Sequence, residues 1–241
     1  MSLIYRFRDF FDWLAHTDLF PLWNSLRIAA VSSVLVFFLG IFFAYYAAKL
    51  PRVIKGVLDV ILTLPLVLPP TVCGYLLVLA FGSNSLAGEF LLRFGVKFTF
   101  TWYGGILASV VVSFPLMYRT ARGAFESFDR TLAYSGQTLG LPNSYIFWRV
   151  RMPACRQGIL AGTVLAFARA LGEYGATSML IGYMPGHTAT ISTTVYQLWK
   201  GENTFNELHS MDWVVLNLAI SAVVLLTVNL LESRQKKAVK Q

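Results

Sequence analysis

The sequence predicts an all-α integral membrane protein of five transmembrane helices, with its N-terminus outside the cell and its C-terminus in the cytoplasm. Three features predict it. Of the 241 residues, 56% are hydrophobic and 13% are charged, about half the roughly 25% charge of a soluble domain. The charges cluster, so that apolar runs of about 20 residues, long enough to cross the hydrocarbon core as a helix, recur along the chain. Lys and Arg favour alternate connecting segments, as orientation in a bilayer requires. Irregular backbone facing lipid would leave N–H and C=O groups unpaired, so the spans must be helices. This composition excludes disordered, collagen-like and coiled-coil chains.

Residues 1–24 form an outer lead-in. Leu3, Ile4, Phe7, Phe10, Phe11 and Leu14 recur at helical spacing among Arg6, Asp9 and Asp12, as in a helix that lies in the outer interface or covers the first span. Asp9, Asp12 and Asp18 interrupt any signal-peptide apolar region, so no cleavage is expected. The membrane domain occupies 25–233 and a basic tail 234–241. Its first span is 28–48. The second, 60–81, contains Pro65, Pro69 and Pro70. Each proline removes a backbone donor, so carbonyls between Ile61 and Leu66 lose their partners and the helix must kink or break. The opened turn either serves packing alone or sets Pro69, Pro70 and Thr71 at a translocation path where two subunits face each other.

The third span is 98–118 and the fifth 213–231. The fourth, 158–183, carries Arg169 and Glu173, four apart and therefore on one face. A lone Arg at mid-membrane costs about 2.5–3.5 kcal/mol on insertion scales, so the two are expected to neutralise each other. They brace the span as an ion pair, or Glu173 with Gly172 and Thr177 forms a gate.

Thirteen Lys and Arg fall on one side: Lys49, Arg52 and Lys55, six arginines from Arg119 to Arg156, and four residues of the tail; Arg6, Arg8, Arg93, Lys97 and Lys200 make five on the other. The formal +8 is therefore a topological signal rather than a nucleic-acid footprint. The richest basic segment, 119–157, is also the longest connection. Residues 131–139 suit a short helix closed by Gly140 in a left-handed cap. Pro142 prevents continuation, and Asn143 or Ser144 caps a second short helix with Ile146, Phe147 and Val150 on its apolar face. Pro153 is expected to end that helix, and Arg149, Arg151 and Arg156 to meet lipid head groups. A helix–turn–helix of this kind can dock into a groove on a soluble partner.

From Tyr134 to Pro153 the chain resembles the EAA loop of permease subunits of binding-protein-dependent ABC importers: Glu-Ala-Ala, three residues, Gly, nine residues, Ile-x-Leu-Pro. Gly140 falls on the Gly, and Val150, Met152 and Pro153 on the Ile, Leu and Pro. Tyr134, Ser135 and Gly136 replace Glu-Ala-Ala, so an acidic contact is either missing or taken over by a Tyr hydroxyl. Leu64–Tyr75, Ala168–Thr177 and Pro185–Thr188 are similar to segments of the molybdate importer permeases. Sulfate and tungstate permeases are similar enough to leave the oxyanion open.

The resemblance implies a type I ABC importer permease fold, multi-pass in the inner cell membrane, working as a homodimer by alternating access. It implies two cytoplasmic ATP-binding subunits, which hold ATP and Mg²⁺, so this subunit needs no cofactor. They would engage the loop at 129–153 through Tyr134, Ser135, Gly136, Thr138, Leu139, Gly140, Pro142 and Asn143. An extracytoplasmic oxyanion-binding protein would deliver the solute. The residues themselves suggest no enzyme. His16, His187 and His209 are far apart, Cys73 and Cys155 read as small hydrophobes, and no Walker-type glycine loop, metal triad or nucleophile–base pair occurs. A passive channel, which would need no ATPase, is the rival reading.

Overall fold

In this computed structural model, residue 10 and residues 12–201 and 204–238 are described, with side chains omitted at 204–208 and beyond 227. Leu3, Ile4, Phe7, Phe11 and the last residues of the basic tail lie outside the described part. The elements are helices: α1 Phe20–Ala47, α2 Arg52–Val67, α3 Pro70–Phe81, α4 Leu86–Arg93, α5 Trp102–Glu126, α6 Arg130–Thr138, α7 Asn143–Ile146, α8 Met152–Leu171, α9 Gly175–Ile181, α10 Ile191–Lys200 and α11 Thr204–Ala238. Among the described residues α1, α5 and the stretch His209–Thr227 of α11 are long and apolar enough to cross a membrane. The α2–α3 pair, bent by 111°, adds a fourth if counted as one broken span. At 20 residues α8 has the length, about 30 Å at 1.5 Å per residue, but carries Arg156 and Arg169.

The centre is a three-helix layer in which α1 packs on α5 and both pack on α8. Buried small residues, Ala29, Ser33, Gly40, Ala44 and Ala47 on α1, let the axes approach. Ser32 and Ser33 donate their hydroxyls to Ile28 and Ala29 carbonyls within the helix, so they enter the core without an unmet polar group. Toward the C-terminal end of α1, Val36, Ile41, Met117, Tyr118, Phe125 and Ile159 form one apolar cluster. At the opposite end of α1, Asn24 donates to the Ala189 carbonyl and Ser25 accepts from Ile191 N–H, both at 2.9 Å, locking the start of α10 onto α1. Phe10, Trp13 and Leu14 of the lead-in pack with Ile191 of α10 and Trp213 of α11.

Two expected spans are not single helices. The stretch 60–81 divides at Leu68 and Pro69, both in extended conformation. Pro69 and Pro70 supply no N–H, so the helix cannot close across them. The stretch 158–183 divides into α8 and α9 at Gly172–Tyr174. The two broken regions then pack on each other. A methyl at Gly175 would lie 2.8 Å from Cβ of Pro70 and one at Gly74 would lie 2.7 Å from Cα of Ala176, so only glycine permits the α3–α9 crossing.

A third difference concerns Pro153. It does not end a helix. The chain runs from α7 through a π-helical segment, Phe147–Arg151, straight into α8, where Pro153 occupies the first turn. The N–H of Met152 donates to the carbonyl of Phe147, five residues back. Widening the turn relieves the clash and lost bond that a proline imposes on an α-helix.

Replacing Gly175 with Val is expected to lower stability by about 1–3 kcal/mol, the usual cost of overpacking. The check is a thermal melt in detergent, compared with Gly123→Val, where nothing lies within 4 Å of the added group.

Candidate functional site

The helix–turn–helix at the basic end is built from α6 and α7. Asp129 caps α6, accepting the Thr131 backbone N–H at 2.9 Å. Bonds from the Thr131 hydroxyl and N–H hold this carboxyl below its ordinary pKa of 3.8. At the other end Gly140 has φ +74°. Its N–H donates to Gln137 and that of Leu141 donates to Gly136, the pair of bonds that closes a helix with a left-handed residue. Asn143 does not cap α7, nor does Ser144. The N-cap is Pro142 without a side-chain bond, and Asn143, already helical, instead accepts from Gln137 Nε2 at 3.0 Å across the turn.

The motif has an inner and an outer face. Ala133, Gly136 and Ile146 are buried, and a methyl at Gly136 would come within 3.1 Å of Ile146. Ala133 and Ile146 join the cluster of Phe125, Phe128 and Tyr118. Ser135, Thr138, Gly140, Pro142 and Asn143 are exposed, as are Tyr134 at 58% and Leu139 at 77%. Seven of the eight residues expected to engage a partner therefore form one solvent-facing rim, while Gly136 supports them from beneath. Arg149 and Arg156 are exposed, but Arg151 turns inward over the rings of Tyr45 and Phe128, 5.2 and 5.1 Å from their centroids. Arg151 is thus oriented by aromatic contacts instead of lying on the surface with Arg149 and Arg156.

The expected path residues gather where the two helix breaks meet. Pro69, Thr71 and Gly172 are exposed on the subunit surface and Pro70 is half-buried. Thr177 is 2% exposed, facing into the subunit rather than toward this surface. Glu173 is 3% exposed and fully engaged. One oxygen pairs with Arg169 Nη1 at 2.5 Å and the other accepts the Ala176 N–H at 2.8 Å. It thus joins the end of α8 to the start of α9. Cys73 also has a role missed in the sequence. Pro69 cannot donate to the Pro65 carbonyl, and the Cys73 thiol, 3.7 Å away, donates instead.

A second ionic cluster escaped sequence reasoning altogether. Asp59 on α2 accepts the Tyr118 hydroxyl and pairs with Arg122, while Glu126 pairs with Lys55 and lies 3.7 Å from Arg122 Nε. Its members ascend α2 at 55 and 59 and α5 at 118, 122 and 126, one helical turn apart on each. That repeat of polar residues was the available signal. Among the described residues no group of three His, Cys, Asp or Glu is placed to hold a metal ion.

The helical membrane fold, with two broken helices packed on each other and an exposed helix–turn–helix, is one shared with transport proteins. A solved bacterial ABC transporter that imports alginate shares the fold, with a TM-score of 0.74 at 18% identity over 94% of this chain and 83% of that one. Residues 37–235 match the family described as binding-protein-dependent transport system inner membrane component, and the chain belongs to it. It is 44% identical to the molybdenum transport system permease protein ModB of Escherichia coli K12, over 74% of this chain and 80% of that protein. It is 32% identical to the sulfate transport system permease protein CysW of Synechococcus elongatus, over 87% of this chain and 72% of that one.

The Asp59–Arg122 pair, with side chains about one-fifth exposed at 23% and 21%, should show a coupling of about 0.5–3 kcal/mol in a double-mutant cycle of Asp59→Ala and Arg122→Ala. Denaturation of the four proteins in detergent measures it, and strict additivity would remove the pair from the stability of the α2–α5 contact.

Proposed function

We infer that the protein is the permease subunit of an ATP-driven ABC importer for molybdate, in which two copies form the path at their two-fold interface. Five spans, counting α2–α3 and α8–α9 as broken ones, carry the N-terminus outside and the motif and tail inside. The observation that carries this reading is the exposed rim of α6 and α7 closed by Gly140 in a member of this importer family. Two cytoplasmic ATP-binding subunits, holding ATP and Mg²⁺, engage that rim, and an extracytoplasmic oxyanion-binding protein delivers the solute. Molybdate is favoured by the likeness to the molybdenum permease; the lower likeness to a sulfate permease keeps sulfate as the second reading.

The mechanism follows from continuity. From Asn143 to Leu171 the backbone is one helical rod, with the docking rim at one end and the Arg169–Glu173 junction at the other. When nucleotide draws the ATPases together, movement of the rim is carried along this rod to Glu173, and through it to α9 and the opened turn of α3. Two such rods in a dimer rock in opposite senses, exposing the junction to one side and then the other. Glu173 acts in this scheme as the hinge pin and not as an anion ligand, since a carboxylate repels a dianion. Contacts to the solute are weak, so that release is not blocked.

Uptake of labelled molybdate by the assembled transporter in vesicles, with tungstate and sulfate as competitors, tests the substrate. Gly140→Val, which forces a β-branched residue into φ +74° at a cost of about 1–2 kcal/mol, should leave ATP hydrolysis but abolish its coupling to uptake. Fully coupled uptake in that variant would refute the docking assignment. Thr71→Cys should crosslink to its partner copy in at least one nucleotide state, and failure to do so in all of them would move the dimer interface away from the helix breaks.

A further inference from the structure

The geometry points to a phosphate-binding site between the end of α1, α6 and the π-helical segment, occupied by the head group of an anionic phospholipid of the inner leaflet. A cavity of about 230 Å³ opens there, lined by Lys49, Arg130, Arg151, Tyr134, Gln137 and Phe128 among others. It presents three cations and no carboxylate. The nearby acids are engaged elsewhere: Asp129 caps Thr131, and Glu126 pairs with Lys55 and Arg122. Among the described residues neither Lys49, Arg130 nor Arg151 forms an ion pair. The Arg151 guanidinium lines the cavity with no carboxylate against it, and an oxyanion is the acceptor that a guanidinium binds best.

The rings around the cavity hold two of the cations in place without neutralising them. Lys49 Nζ sits 3.8 Å from the Tyr45 ring centroid, and the Arg151 guanidinium spans Tyr45 and Phe128. Arg130 and Lys49 remain exposed as the outer pair. At roughly 30 Å³ per water, the volume accommodates a tetrahedral phosphate with several waters. Lipid is favoured over free phosphate by what adjoins the opening. Lys49 follows directly on the apolar α1, and its Nζ is also 5.7 Å from the ring of Tyr46, which lies tilted against Phe42. Both rings are more than half exposed, at 53% and 55%, and offer apolar surface on which an acyl chain lies. Bound there, a lipid would tie the docking motif to the end of α1.

The site rests on the cytoplasmic placement of this end, and the test separates the two. Full-length protein in detergent is incubated with phosphatidylglycerol or phosphatidylcholine, and retained lipid is counted by native mass spectrometry for the wild type, Lys49→Gln/Arg130→Gln, and the charge-matched control Arg149→Gln/Arg156→Gln. Retention of phosphatidylglycerol should be preferred and should fall about tenfold or more in the first variant, as expected for two lost charges near the head group, but not in the control. A parallel arm measures melting with inorganic phosphate. A phosphate-dependent rise that Lys49→Gln/Arg130→Gln abolishes, without any lipid preference, supports the oxyanion site but overturns the lipid as its occupant. Equal losses in both variants, or none, overturn the site. Labelling of Leu139→Cys from either side of sealed vesicles reports orientation independently, because the detergent measurement does not depend on it.

Discussion

The structure depends on a single constraint, that a helix opened inside a membrane must have its freed backbone groups satisfied by protein. Water is absent there, and each unmet amide costs several kcal/mol. Pro69 and Pro70 open the chain after α2 and a short non-helical link opens it at 172–174. Neither break could face lipid alone. Packed together, each closes the other: the first turns of α3 and α9 cross at Gly74 and Gly175, Cys73 meets the Pro65 carbonyl, and Glu173 takes the Ala176 N–H. The ion pair of Arg169 and Glu173 is part of the same solution. A carboxylate that caps a helix in an apolar core needs a counter-charge, and Arg169 lies one turn back on the helix it must follow.

This junction divides the molecule mechanically. The layer of α1, α5 and α8 is closely packed through small residues, whereas only 11% of the apolar window of α11 is buried. The α2 helix, with Thr63 as its one buried residue, is held to α5 at its middle by Asp59 with Tyr118 and Arg122 and is joined through the bent turn to α3 at its end. A stiff rod with loosely held neighbours thus runs from the exposed helix–turn–helix to the breaks.

How far these features are legible in the chain depends on whether their causes are local. The apolar runs, the prolines of the second span, the cap at Gly140 and the pairing of Arg169 with Glu173 involve residues within one or two turns of each other, and periodicity or spacing exposes them. The Asp59–Arg122 contact joins residues 63 positions apart, and Cys155 donates to Ala124 across 31. Without the crossing of the helices nothing in the sequence relates them. Pro153 was misread for a different reason. A proline ends a helix when the turn before it is an α-turn, and the rule gives no warning when a wider turn supplies the space. The period of α9 turns Thr177 inward while the link residue Gly172 faces out.

The basic residues, which in the sequence are a bulk signal of orientation, separate in the fold by what surrounds them. Lys55 and Arg122 are neutralised by Asp59 and Glu126, and Arg169 by Glu173. Arg149 and Arg156 remain on the surface. Lys49 and Arg151 belong to neither group, since aromatic faces orient them without cancelling their charge. A positive charge fixed by rings and left without an acid keeps its full attraction for an anion, while the ring contacts have already restricted its rotamers. The cost of ordering the site is thereby met during folding. Charge count alone would assign such a site to the most exposed arginines; burial and the direction of each side chain move it to the base of α6, where it can influence the docking motif from the membrane side.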